Sequence, residues 1–261
     1  MRCFLSDCDL DSALALTPPP ETATSPGMKP ASLAPSVAFR LPRAPKAVVF
    51  DLDGTLIDSE KLVHEAYMAA ADRFRIPFTD AHFLSLVGRH RAHSEGKMLE
   101  YFGAEFPLAD FYAAVGAHVG DRAAPLKPGA AELLDHLDYS RTPYALATSS
   151  GPPWVDRHFR AHGLTDRFRH IVTRDDVING KPHPEPYLKA STALGYSPAD
   201  ILAIEDSPTG LASAQAAGLM AVMIPDLLEP DDDARGRALH IGASLHDVVE
   251  MLRGAQAKGS P

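Results

Sequence analysis

Cysteine is nearly missing from this chain of 261 residues, with only Cys3 and Cys8, both near the N-terminus. Two cysteines cannot build the multi-bridge framework of a disulfide-stapled domain, and their spacing fits neither CxxC nor a zinc pattern. No apolar run approaches the ~20 residues that a membrane-spanning helix needs, so a membrane protein is not expected. No Lys/Arg-rich run occurs either, and the formal net charge is −9. Binding to a nucleic-acid backbone wants a basic surface, so no nucleic-acid partner is expected, and an anionic substrate would need a local positive site. Several motifs are also absent. GxxxxGK[ST] is not satisfied at Lys181, no GxGxxG follows a strand, and neither HExxH nor GxSxG occurs. These absences remove the usual signatures of ATP and NAD binding, of a zinc protease and of a serine esterase.

Residues 1–45 hold 8 of the 23 prolines, are otherwise rich in alanine and serine, and have almost no periodic apolar face. That composition predicts a disordered tail. Asp7, Asp9 and Asp11 interrupt its only candidate for a secretory apolar run, so a cytoplasmic location is expected. Met28 offers an alternative start, which would make the first 27 residues an extension. The remainder is long enough, and the whole chain apolar enough at 45% hydrophobic, for one large domain or two smaller ones.

The chain is organised around AVVFDLDGTLIDSE, residues 47–60. Ala47 to Phe50 read as a short strand buried on both faces, since β-branched and aromatic residues without polar interruption suit a covered parallel strand. Asp51 and Asp53 then fall at its C-terminal end, two apart, so extended backbone would aim both carboxylates to one side. Like charges that close are unfavourable alone, which argues for a divalent metal with one carboxylate ionised and the other free to carry a proton. Gly54 permits a sharp turn and Thr55 a local hydrogen bond. Taken by itself, the stretch also fits a strand followed by an Asp-Gly hairpin turn.

From Ser59, a plausible N-cap, the pattern becomes helical, with Leu62, Ala66, Ala70 and Phe74 on one stripe. Further helices are expected from Asp80 to Gly88, over about 91–102, and around Leu108 to Val119. No strand signal appears before about 144, so residues 59–125 read as a helical insertion between the first two strands. Its histidines, His64, His82, His90, His93 and His118, have no spacing that sets two on one metal and read as surface or core residues. Gly88, Arg89, His90 and Arg91 form a loop that either meets an anionic substrate or is simply solvated.

After Lys127 strands and helices alternate: PGAAELLDHL, YALAT, VDRHFRAHG, HIVT, PEPYLKASTALG, ILAIED, TGLASAQAAG, MAVMI and LHDVVEML. This predicts a doubly wound α/β fold, a Rossmann-like parallel sheet covered on both faces, with core segments 46–58 and 126–255 and a short tail over 256–261. Ligands of such sheets bind outside the carboxyl ends of the strands. There the sequence delivers Asp51 and Asp53, then Thr148, Ser149 and Ser150, then Lys181 in NGKPHPEPY, and finally Glu205 and Asp206. Each group alone is an ordinary turn or loop. Their common edge is not.

DLDGT resembles the first motif, DxDG[TV], of the haloacid dehalogenase-like hydrolases, and TLIDSE is similar to the branch with phosphoglycolate phosphatase, β-phosphoglucomutase and pseudouridine-5'-phosphatase. The resemblance runs from about 46 to 250. It implies a nucleophile at Asp51 and a general acid/base at Asp53. Thr148 and the backbone of Ser149 are implied to bind the transferring phosphoryl group, and Lys181 is implied as the third-motif lysine. Within EDSPTG, Asp206 and Glu205 are implied to serve Mg2+ together with Asp51 and the Asp53 carbonyl. Residues 59–125 would be the helical cap domain, and the substrate-facing reading of its loop falls on Gly88, Arg89 and Arg91. The expected activity is a Mg2+-dependent phosphatase of a small phosphorylated metabolite, acting through an aspartyl phosphate, as a monomer or weak homodimer. A phosphosugar mutase is the runner-up, although the mutase's cap histidine falls at Val63, with His64 one residue late. A non-catalytic phosphate sensor is the remaining alternative.

Overall fold

A computed structural model describes residues 41–87, 91–227 and 229–256. Ten α-helices and six strands occur among them. Strand β1 (Ala47–Phe50) lies in the middle of a six-stranded sheet, flanked by β2 (Tyr144–Ala147) and β4 (Ile201–Glu205). The order is β3-β2-β1-β4-β5-β6, with β3 at Ile171–Val172, β5 at Met220–Met223 and β6 at His240–Ile241. Every pairing is parallel. All four residues of β1 are fully buried, as the unbroken apolar run requires of a strand covered on both sides.

The period of two divides the sheet's side chains between two cores. Val48, Phe50, Leu146, Leu202, Ile204 and Val222 point to the larger one, with α5 (Ala130–Tyr139), α6 (Pro152–Ala161) and α10 (Leu245–Gln256). Phe50 meets Tyr144 and Phe168 edge-on at 6.1 Å there. Ala47, Val49, Ala145, Ala147, Ala203 and Ala221 face the other core, against α7 (Glu185–Leu194), α8 (Pro208–Ala216) and α9 (Asp232–Arg237). The small side chains on that face let the helices approach closely.

Between β1 and α5 run α1 (Ser59–Phe74), α2 (Asp80–Leu86), α3 (Arg91–Phe102) and α4 (Leu108–Val119). Phe111 is fully buried at their centre, with the rings of Tyr67, Phe74, Phe106 and Tyr112 5.5–5.9 Å away. The chain leaves the sheet and returns at adjacent points: Asp58 N donates to Pro125 O at 2.8 Å and Lys127 N to Leu56 O at 2.9 Å. Beside this crossing Lys127 pairs with Asp226 at 2.6 Å, with both side chains mostly buried.

Several boundaries differ from those expected. Ser59 lies inside α1, whose N-cap is Asp58 without a side-chain cap bond, because the paired connections fix where the helix begins. Helix α6 starts earlier, with Pro152 and Pro153 in its first turn, where a missing N–H costs nothing. Helix α9 and strand β6 were not expected at all, since six and two residues carry too little periodicity to read. Of the expected tail, residues 41–45 are described, and Leu41 is buried in the larger core. The rest of the tail and the Gly88, Arg89 and His90 positions lie outside the described residues. Among the described residues no helix is long and apolar enough to cross a membrane.

Phe111→Ala removes the ring on which the insertion's aromatic cluster converges. It is expected to destabilise the protein by about 3–5 kcal/mol, read as a lower urea midpoint with little change in slope.

Candidate active site

Parallel register makes the strand ends level. Phe50 pairs with Leu146 on one side and Ile204 on the other, so Asp51 stands beside Glu205 and the Thr148 loop follows directly. Lys181 arrives from beyond β3 and reaches into the gap, its Nζ 2.5 Å from Asp51 Oδ1 and 2.6 Å from Glu205 Oε1. The three side chains are 6%, 10% and 0% exposed. The Tyr187 hydroxyl also donates to Glu205 Oε1, and Ser207 Oγ donates to Oε2 at 3.2 Å. This polar network is therefore satisfied on every side of Glu205. Gly210 makes room for it, because a Cβ there would lie 2.0 Å from the Glu205 carboxylate.

Asp206 sits on the other side of Asp51, with Thr55 Oγ1 donating to its Oδ1 at 3.3 Å. Gly54 has φ +78°, and a Cβ on it would stand 2.4 Å from Asp206 Oδ2, so conformation and space both demand glycine. Asp51, Glu205 and Asp206 each offer an oxygen within 4.8 Å of the others. Burial lifts the Asp51 carboxyl to about 8, with Lys181 opposing and Glu205 and Asp53 adding. Burial, Asp51 and Glu205 likewise hold Asp206 well above the usual carboxylate range. For Lys181 burial works against the charge, but the two carboxylates outweigh it and hold its pKa above the ordinary value. One ammonium among three clustered carboxylates leaves negative charge uncompensated, and this donor set fits a hard divalent cation.

Asp53 turns the other way. Its Oδ2 accepts from Ser150 Oγ at 2.6 Å and its Oδ1 from Trp154 Nε1 at 2.8 Å. Thr148 is buried, its Oγ1 accepting from Ser150 N at 3.0 Å, and Ser149 is exposed at the cavity rim. Asp51, Asp53, Thr148, Ser149, Lys181 and Asp206 all line one cavity of about 530 Å³. Trp154 was not singled out in the sequence, since an indole in a helix signals core packing until its N–H has a partner. Glu60 and His93 also line this cavity, although neither is assigned a role there from the sequence. Arg91 opens α3, and its side chain is not described. Arg157 and Arg174 do line cavities at this edge.

The family model for haloacid dehalogenase-like hydrolases matches residues 48–224. The chain belongs to this family. A Drosophila melanogaster protein described as "Probable pseudouridine-5'-phosphatase" is 34% identical over 213 residues, covering 76% of this chain and 89% of its own. The validoxylamine A 7'-phosphate phosphatase of Streptomyces hygroscopicus subsp. limoneus is 34% identical, covering 68% of this chain and 84% of its own. Among solved structures, a hydrolase of the family from Deinococcus radiodurans, with bound phosphate and sodium, matches with a TM-score of 0.69. It is 26% identical, over 82% of this chain and 97% of its own. In this hydrolase the six-stranded Rossmann-like sheet thus carries the family's architecture.

Glu60, on the first turn of α1, is a sensitive reporter of the acidic surroundings. Burial raises its carboxyl to about 7, and Asp53, Asp226 and Asp58 add to this against Lys127. Between the ordinary value of 4.5 and about 7 the native state binds more protons than the unfolded chain, so this group's contribution to stability is lost as pH rises through that window. In metal-free buffer Glu60→Gln is therefore expected to melt higher than the wild type at pH 8, with the difference shrinking toward pH 4 in thermal scans.

Proposed function

We propose that this hydrolase is a phosphatase of small phosphorylated metabolites, sugar phosphates foremost, working through a phosphoenzyme on Asp51. The observation that carries the reading is the convergence of Asp51, Lys181, Thr148 and Asp206 at one cavity, with Asp53 held across it by two donors. The relatives named as a pseudouridine-5'-phosphatase and a validoxylamine A 7'-phosphate phosphatase support the same chemistry. The four helices α1–α4, joined to the sheet by two adjacent connections, would act as the cap over the cavity.

Asp51 Oδ2 attacks phosphorus in line, the bond to the leaving oxygen breaks, and Asp53 delivers a proton to that oxygen. Lys181 and the Thr148 and Ser149 loop hold the equatorial oxygens of the transferring group. Asp53, now ionised, takes a proton from a water that attacks the acyl phosphate, releasing inorganic phosphate and restoring Asp51. The raised Asp51 pKa means that the nucleophile needs positive charge nearby to be ionised at neutral pH, and Lys181 supplies part of it. Mg2+, held by the Asp51 and Asp206 carboxylates and the Asp53 carbonyl, would supply the rest as a Lewis acid. Glu205 lies within reach of the same ion, but Lys181, Tyr187 and Ser207 occupy its oxygens, so we assign it chiefly to fixing Lys181.

The mutase reading is not favoured over this one. Val63 presents an apolar side chain to a neighbouring cavity that shares Asp53 and Glu60 with this one, while His64 bonds Asp80 Oδ1 at 2.9 Å and packs on Phe83. The non-catalytic reading would leave the buried lysine and carboxylates, costly to keep, without a use.

Asp51→Asn keeps the shape of the nucleophile but not its charge. Phosphate release is expected to fall below about a hundredth of the wild-type rate, the size of effect one well-placed electrostatic group can carry. A smaller loss would overturn the covalent route.

Asp53→Asn separates the two duties of that residue. An aryl phosphate, whose phenolate leaves unaided, is expected to give a burst of about one equivalent per site followed by a slow steady rate, since water activation is lost. A sugar phosphate is expected to give no burst. If rapid mixing detects no aryl burst from a variant that still binds substrate, Asp53 does not activate the water.

A further inference from the structure

The two oxygens of Asp53 are served by donors of different kinds. Ser150 Oγ stands 2.6 Å from Oδ2, and a hydroxyl can turn to donate or to accept. Trp154 Nε1 stands 2.8 Å from Oδ1, and an indole N–H can only donate. The indole therefore demands an acceptor at Oδ1 whatever the protonation state of the carboxyl. In a carboxylic acid the carbonyl oxygen accepts better than the hydroxyl oxygen does, so a proton gained by Asp53 settles on Oδ2, where the partner can follow it.

The indole is also held in one place. Pro152 and Pro153 occupy the first turn of α6 and restrict the backbone just before Trp154. Against the ring lies His158, fully buried, with the two ring centroids 4.4 Å apart. His158 Nδ1 donates to the Trp154 carbonyl at 2.8 Å, which sets the tautomer, and burial holds the imidazole below its ordinary pKa, so this support is neutral. Arg157 stacks its guanidinium over the indole at 5.6 Å. A half-buried ring held in this way loses little further freedom in keeping one N–H aimed at one oxygen. Packing alone would be served equally well by a phenyl ring.

We propose that Trp154 is the positioning residue of the acid–base steps, holding Asp53 Oδ1 as an acceptor throughout so that the transferable proton is carried on Oδ2. In the first step the proton on Oδ2 passes to the leaving oxygen as the bond from that oxygen to phosphorus breaks. The carboxylate left behind accepts from both Ser150 and Trp154, as it does in this structure. In the second step Oδ2 takes a proton from the water that attacks phosphorus, a change that the Ser150 hydroxyl follows by rotation. These roles rest on the phosphatase reading, to which they add the oxygen that carries the proton and the side chain that aims it.

Trp154 is the sole tryptophan of the chain, so a nitrogen–proton correlation NMR spectrum contains one indole signal. In Asp53→Ala, which removes the acceptor, that N–H is expected to exchange with solvent at least about tenfold faster than in the wild type, the size of one charge-assisted hydrogen bond. Asp53→Asn is expected to keep it within about threefold of the wild type, because the amide turns its oxygen to the indole and its NH2 to Ser150, the pattern of the protonated acid. Trp154→Phe keeps a ring and removes the N–H. In single-turnover experiments it is expected to react at least about tenfold more slowly with glucose 6-phosphate, whose alkoxide needs the acid, yet within about threefold of the wild type in phenolate release from p-nitrophenyl phosphate. Equal exchange in the wild type and Asp53→Ala overturns the positioning role, and so does a Trp154→Phe rate that is unchanged on glucose 6-phosphate or lowered equally on both esters, as a merely structural defect would lower it. Exchange in Asp53→Asn as fast as in Asp53→Ala overturns the placement of the proton on Oδ2. Where Trp154→Phe does not fold, or glucose 6-phosphate is not turned over, the exchange comparison decides by itself, since it needs neither. A wild-type enzyme that releases phosphate from neither ester overturns the phosphatase reading whatever the exchange shows, whereas release together with a failed exchange or rate test overturns the positioning role alone.

Discussion

A lysine ammonium buried between two carboxylates is the interaction on which the rest of this structure depends. Lys181 lies between Asp51 at the end of β1 and Glu205 at the end of β4, neighbouring strands whose register sets the two acids side by side. Desolvating three such groups is expensive, and removing one partner of a buried pair typically costs about 3–5 kcal/mol. The surroundings are shaped to keep the arrangement satisfied: Tyr187 and Ser207 complete Glu205, and Gly210 has no side chain where that carboxylate lies. The alanines on the α7 and α8 face of the sheet belong to the same solution, because they let those helices bring Tyr187 and Gly210 close to the strand ends.

The same cluster explains why the site is electrostatically unfinished. Asp51 and Asp206 are held above their ordinary carboxylate range by burial and by neighbouring carboxylates, Glu205 among them for both, with a single lysine opposing. Such a cluster favours positive charge placed beside it. Asp53 is treated differently although it is only two residues away. Donors on the Ser150 loop and α6 take both of its oxygens, which draws it out of the cluster. One short segment thus supplies two carboxylates with distinct surroundings, which is what distinct chemical duties require.

The helical insertion stands beside these groups. Its two connections run side by side and hydrogen-bond to each other, and the Lys127–Asp226 pair ties the return connection to the loop after β5. The aromatic cluster around Phe111 holds the helices together as one body. Glu60, Val63 and His93 bring side chains from this body to the cavities. The sheet therefore supplies the clustered carboxylates, while the insertion and α6 line the cavities beside them.

Much of this was legible in the residues alone. The unbroken AVVF run, the alternation of short apolar strands with periodic helices, and the long helical gap before residue 144 determined the sheet, its parallel order and the insertion, because burial and period act locally and leave a direct trace. The DLDG, TSS, GKP and ED groups were legible as one edge, because strand ends of a parallel sheet share an edge whatever the details. What only the tertiary structure decided were relations between side chains distant in the chain. The indole of Trp154 on Asp53, separated by 101 residues, has no local signature, and neither has the 130-residue reach of Lys181 to Asp51. Sequence fixes which groups a strand presents, but the partners of a polar group follow from packing, and packing is settled only when the whole chain has closed around it.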